Sequence, residues 1–232
     1  MLLIIHSYFG LQIIKRNIIF TDLAVGQMAA LGVAISLYLF EGVYTYLFSL
    51  IFAILTASLI AYIQYKNDKT PEAFIGLIYA LGISGVFIVM SKSPHGLEEL
   101  NNLLAYDILF TGYNEIIKVS ILYIFVGIAL YFVVNKLSGF KREILFFILF
   151  AITLTSSVKL AGVFVVFSLL IAPTLISLKL FSKNHLLYST LIGTVLILLS
   201  LIISYNFDFP TGYTIVFINA LASILVSLIM VK

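Results

Sequence analysis

Asp22 and Gln27 lie inside an apolar stretch running from residue 18 to residue 40. A carboxylate within such a stretch is costly in lipid, about 2.5–3.5 kcal/mol at the centre of a span, so buried acids usually face a polar pathway, where they can take a cation. Asp22 is only a few residues from the end of the stretch that carries Lys15 and Arg16, so reaching towards Arg16 or capping a helix end fits it too. Gln27 sits deeper, where an amide lines a pathway or makes an interhelical hydrogen bond. Lys159 interrupts a second apolar stretch, 144–178; a lysine there suits a carboxylate partner, a cap for free carbonyls, or an external turn. His95, Glu98 and Glu99 stand at i, i+3 and i+4, and on a helix they share one face. Imidazole with carboxylates suits zinc, manganese or iron, while the same spacing also makes a plain solvated face. Asp107 and Glu115 flank the next apolar stretch and complete an acidic mouth that would attract cations.

Other chemistry is excluded by absence. No Gly-x-x-x-x-Gly-Lys-Ser/Thr loop for nucleotide phosphates occurs, and no His-Glu-x-x-His pair for a zinc protease. There is no Gly-x-Ser-x-Gly nucleophile elbow. Cysteine is absent, which removes disulfides and thiolate metal sites. An enzyme is poorly supported, and no cofactor is expected.

The elements that would position these residues are membrane spans. The mean hydropathy is +1.19, 62% of residues are apolar and 10% are charged. A soluble domain of this size could not cover such a core with polar surface. Apolar runs occupy 3–14, 18–40, 43–64, 72–91, 113–135, 143–158, 160–178, 186–205 and 212–231. A spanning helix needs roughly 20 apolar residues, so the expectation is an all-α bundle of about eight to nine transmembrane segments, with residues 1–232 forming one domain. The first run is short for a crossing and reads as tilted, incomplete or only half inserted; it lacks the basic lead of a cleaved signal and reads as embedded and retained.

Charge then orients the bundle. Lys15 and Arg16, Lys66 and Lys69, Lys136, Lys141 and Arg142, Lys179 and Lys183, and Lys232 fall in alternate gaps. The gaps between hold Glu41, then His95, Glu98 and Glu99, then Asp208, with Lys92 as the exposed base. Basic loops stay in the cytoplasm, so the expectation is an N-terminus outside and a C-terminus inside. The net charge of +3 comes from these loops and points to no nucleic-acid partner. Tyr38, Tyr44, Tyr62, Tyr65, Tyr113, Tyr205 and Tyr213 sit near run ends, as interface tyrosines do. Thr70-Pro71-Glu72 reads as a helix start. Leu97, Leu100, Leu103 and Leu104 recur at helical spacing and predict an amphipathic surface helix. Gly26, Ala29, Ala30, Gly32 and Ala34 would let the second run pack closely. Lys159 and Gly162 mark the break of a tight hairpin or broken helix across 144–178, with a kink near Pro173.

Four blocks resemble the membrane-spanning subunit of metal-ion ABC transporters, the zinc, manganese and iron permeases. Lys15–Phe20 running into Asp22–Ala34 is similar to that family's basic pair, acidic start and small-residue helix ending in Gly-Val-Ala. Glu72–Ala80 resembles its acidic helix start followed by Ile-Gly-Ile, and Leu104–Leu109 its Gly-Asp-Ile-Leu. Val158–Pro173 resembles its Lys-x-x-Gly, apolar stretch and Leu-Leu-Ile-x-Pro, and Pro210-Thr211-Gly212 its Pro-x-Gly before the last span. The likeness covers nearly the whole chain in order. It implies a homodimeric permease in the cell membrane, a separate cytoplasmic ATPase and an external metal-binding protein. By that likeness Asp22 and Gln27 line the pathway, and His95, Glu98, Glu99 and Asp107 its outer mouth. Lys159, Gly162 and Pro173 are expected to form a hinge, and the loop of Lys136, Lys141 and Arg142, or that of Lys179 and Lys183, to meet the ATPase.

The chain also departs from the family pattern. Gln27 takes the place of the usual His, and Leu23 that of the usual Asp, with Asp22 one residue earlier. The segment from Asn135 to Glu143 is shorter than the one on which the family docks its ATPase. An ion-coupled transporter or channel, or a membrane scaffold subunit, stays open as an alternative; the first would need a charge relay, for which Asp22 and Lys159 are the candidates.

Overall fold

Residues 1–66, 70–93 and 111–230 are described by a computed structural model. Their regular structure is helical throughout: α1 (Leu2–Lys15), α2 (Thr21–Phe40), α3 (Thr45–Tyr65), α4 (Pro71–Met90), α5 (Tyr113–Phe132), α6 (Gly139–Ala161), α7 (Val163–Leu180), α8 (His185–Phe207) and α9 (Thr211–Ile229). A short 3-10 turn, Val134–Lys136, joins α5 to α6. The eight helices α2 to α9 are long and apolar enough to cross a membrane. Each coincides with an apolar run of the sequence, because in lipid only a helix satisfies every backbone polar group within its own segment. The expected amphipathic helix, with Leu97, Leu100, Leu103 and Leu104, lies outside the described residues.

The connections are tight. Asn17, Asn184 and Asp208 adopt left-handed backbone angles, with φ of 54°, 54° and 53°. Asn and Asp tolerate that region because their short polar side chains bond locally. Pro71 opens α4 with Glu72 in its first turn. The seven tyrosines expected at interfaces are all exposed and lie near helix ends.

Two groups of helices make the bundle. In the first, α2 packs between α3 and α4, and α6 packs on α3. In the second, α7 packs with α8, α9 and α1. The small residues of α2 serve as expected: a methyl on Gly32 would stand 2.5 Å from the Phe48 carbonyl oxygen of α3. Gly10 of α1 likewise lies against the Leu170 carbonyl of α7.

Gly162 ends α6 and starts α7, at φ 83° and ψ 159°, a region essentially closed to other residues. The helices diverge from this single residue into the two groups. The hairpin expected at Lys159 and Gly162 is therefore a sharp vertex rather than two closely packed arms. Helix α7 continues through Pro173, which faces Gly193 of α8.

Helix α1 does something the hydropathy does not encode. Its 14 residues give a length of about 21 Å at 1.5 Å per residue, against roughly 30 Å of hydrocarbon. Leu3 faces Gly193, and Gly10 faces Leu170 and Thr174. Both contacts lie within roughly 15 Å of the ends of α7 and α8 that carry Lys179 and Lys183, counting 1.5 Å per residue. Phe9 stacks edge-on against Phe146 and Phe150 of α6, at 5.5 and 5.1 Å. The helix thus touches both groups, through residues of α7 and α8 that lie in the basic half of the bundle and through α6.

Candidate functional site

Asp22 is the second residue of α2 and is buried. Its Oδ1 accepts the Leu23 N–H at 2.8 Å, while Oδ2 has no partner among the described residues. The helix-end role anticipated for this carboxylate is half of what it does; the other oxygen is left free inside the protein. Gln27 is buried on the same helix, and its Nε2 has no partner among the described residues. Helix α4 comes closest here: a methyl on Gly82 would stand 3.0 Å from Gln27 Cβ. Bare glycine is what lets the two helices touch beside the amide.

Glu72, in the first turn of α4, closes the same end. Its Oε1 accepts the Phe20 N–H at 3.1 Å, Oε2 has no partner among the described residues, and its charge acts on Asp22. Two carboxylates, each with one oxygen free, therefore face the short elbow between α1 and α2. Among the described residues, no group of three His, Cys, Asp or Glu side chains stands close enough to hold a metal ion. The arrangement is not a closed tetrahedral or octahedral cage.

Arg16 does not reach Asp22. Its Nη1 donates to Glu143 Oε2 of α6 at 2.6 Å, and its guanidinium lies 4.2 Å from the Phe146 ring centroid. Burial pulls the Arg16 pKa below its ordinary value, and the Glu143 carboxylate opposes that. Arginine remains charged regardless.

At the opposite end, Lys159 Nζ donates to Glu115 Oε1 at 3.0 Å, both side chains being well exposed. Thr111 Oγ1 donates to the Leu160 carbonyl beside them at 3.2 Å. Lys159 thus takes a carboxylate partner at an exposed turn. Glu115, expected to add to an acidic mouth, is neutralised there. His95, Glu98, Glu99 and Asp107 lie outside the described residues. Lys136, Lys141, Arg142, Lys179 and Lys183 are all exposed at the basic end.

Sequence reasoning passed over His6, Tyr123 and Glu143. His6 is buried in α1, its Nδ1 donating to the Leu2 carbonyl at 2.8 Å and its ring edge-on to Tyr123 at 6.3 Å. Ser157 Oγ donates to the Thr153 carbonyl, so the Tyr123 hydroxyl donates to Ser157, at 2.6 Å. A lone histidine in an apolar run gives no sign of such a partner. Glu143 carried a signal: it directly follows Lys141 and Arg142 in a basic gap.

The succession of eight apolar spans has a counterpart among known proteins. The pattern of the ABC 3 transport family matches residues 2–142 and 140–230. The chain belongs to the ABC 3 transport family. The two matched pieces meet on the first turn of α6, beside the short α5–α6 connection. Among solved structures, PsaBC from Streptococcus pneumoniae in complex with Fab is similar, with a TM-score of 0.69 and 16% identity. The superposition covers 97% of this chain and 87% of that one, and at this identity it shows the shared fold. No curated protein matches the chain. An ABC 3 member with eight apolar helices is a multi-pass membrane permease. The blocks that resembled metal-ion ABC permeases in the sequence fall within the matched residues, on α2, α4 and the α6–α7 vertex among the described residues.

Proposed function

We propose that this chain is the permease subunit of an ABC importer for divalent metal ions of the zinc, manganese and iron class. A separate ATPase powers it, and an external metal-binding protein feeds it. The observation that carries the reading is the family match along both pieces of the chain, which includes every described span. Asp22 supports the cation: a buried carboxylate with a free oxygen on a central helix favours positive cargo over neutral or anionic solutes. Two copies would form the working permease, as the resemblance implies. Metal would enter past His95, Glu98, Glu99 and Asp107 and move along α2 past Gln27 and Asp22. It would leave at the basic end, where the ATPase meets Lys136, Lys141, Arg142, Lys179 and Lys183. Gly162 and Pro173 would let α6 and α7 rock between outward and inward states.

The basic gaps support a C-terminus inside the cell. The sequence expectation of an N-terminus outside requires α1 to cross, and its contacts in the basic half support instead a helix that does not. The test is metal uptake in proteoliposomes carrying the chain and its ATPase. Uptake that needs ATP hydrolysis and falls on joint replacement of Asp22 and Gln27 supports the reading. Unchanged uptake and metal preference in that double variant would remove these two residues from the pathway. Uptake driven by a proton or sodium gradient without the ATPase would replace the importer with an ion-coupled transporter.

A further inference from the structure

We propose that Arg16 and Glu143 are positioning residues for energy coupling, the link by which force on the first turn of α6 reaches the start of α2. The inference rests on the importer reading above. The α5–α6 connection consists of residues 133–138 and one 3-10 turn, so no long segment projects from the basic end at this point. A partner seated there meets the exposed Lys141 and Arg142 on the first turn of α6 itself. Glu143 is the next residue, and its Oε2 accepts from Arg16 at 2.6 Å.

That pair is built to transmit displacement. The Arg16 and Glu143 side chains are 16% and 21% exposed, so the charges are largely removed from water. Parting them would strand a half-buried charge, which is far costlier than opening a surface pair. The guanidinium also lies over Phe146 at 4.2 Å and beside Phe147 at 5.6 Å, so α6 holds it by charge and by ring contact. Arg16 closes α1, and four residues later α2 begins. Those four residues are not slack: Asn17 makes a left-handed turn, Ile18 is buried, and the Phe20 N–H is held by Glu72 of α4. Asp22 follows two residues after Phe20. A push on the α6 turn therefore shifts the elbow, and the elbow carries the acid of α2 with it. Helix α6 packs chiefly on α3 and also touches α2 and Phe9 of α1, and the side-chain bridge adds a charged hold at the elbow itself.

The experiment uses the permease assembled with its ATPase in proteoliposomes, measuring metal uptake and ATP hydrolysis on the same samples. Arg16→Gln and Glu143→Gln are each expected to lower uptake per ATP hydrolysed by about tenfold, within the range typical of coupling between sites. The reversed pair, Arg16→Glu with Glu143→Arg, is expected to recover much of that ratio. Arg16→Lys keeps the charge and a foldable elbow and is expected to fall between. If the single variants lose yield and melting temperature while uptake per ATP stays at the wild-type value, the pair is only structural and the inference is overturned. It is equally overturned if every variant matches wild type. If wild-type uptake itself needs no ATPase, the importer reading fails first and this inference falls with it.

Discussion

Asp22 carries a cost that its hydrogen bonding does not offset. One oxygen starts the helix by taking the Leu23 N–H, and the other is buried without a partner. Asparagine at this position keeps an acceptor for Leu23 and removes the charge. Asp22→Asn is therefore expected to raise stability by up to about 2.5–3.5 kcal/mol, the cost of a charge at the centre of a span, and to lower metal uptake by about tenfold or more. Thermal unfolding in detergent and an uptake assay check the two halves, and a stable variant with full uptake would leave Asp22 a helix-start residue only. Lys159 and Glu115 make the contrast. Their bridge is solvated, so Lys159→Ala is expected to change stability by less than about 1 kcal/mol in the same melt.

At the scale of elements, glycine placement separates structure from filler. Gly10 and Gly32 sit where a methyl would meet a neighbouring carbonyl, whereas Gly76 and Gly127 have nothing within 4 Å of that methyl. Alanine at Gly10 or Gly32 should cost about 1–3 kcal/mol by forcing helices apart, while alanine at Gly76 or Gly127 should gain up to about 1 kcal/mol in helix propensity. Gly162→Ala should cost about 1–3 kcal/mol through its backbone angles alone. Melting curves of the five variants give the ranking. The spans themselves were legible in the sequence, since runs of nearly twenty apolar residues between charged gaps leave little choice of element. The vertex at Gly162 was legible too, from a lysine and a glycine interrupting a stretch too long for one crossing. The path of α1 was legible only as open options, tilted, incomplete or half inserted, from the shortness of its run. Hydropathy reports that a segment is apolar; only its partners, here Gly193, Leu170 and Phe146, say at what depth it lies. The absence of cysteine makes the test direct. A cysteine tag ahead of Met1 is expected to react with an impermeant maleimide from the same side as Lys183→Cys, and from the side opposite Asp208→Cys. Labelling from the Asp208 side would mean that α1 crosses after all.

For the whole molecule, the two ends of the bundle differ in how their charges are used. At one end Lys159 is paired with Glu115. At the other, the acids Glu143 and Glu72 are engaged with Arg16 and the Phe20 N–H, and Lys136, Lys141, Arg142, Lys179 and Lys183 are left facing outwards. This internal use of acids was illegible in the sequence, because Arg16 and Glu143 are 127 residues apart and nearer acids competed on paper. Its consequence, among the described residues, is a basic face with little acidic charge to balance it, which favours an acidic partner surface and makes association sensitive to salt. Gentle purification is therefore expected to bring down a P-loop ATPase in equal amount at low ionic strength, with loss as salt is raised. Reversing Lys141 and Arg142 together to Glu is expected to weaken that association by about tenfold or more, a loss typical of unfavourable charge juxtaposition at an interface. Reversing Lys179 and Lys183 provides the comparison, because it changes net charge equally on the other loop. A larger loss from the first pair locates docking on the α6 turn, where the Arg16 link begins. A larger loss from the second moves docking to the α7–α8 loop, and the route from ATPase to α2 would then run through α7 and α1, by way of the Gly10 contact.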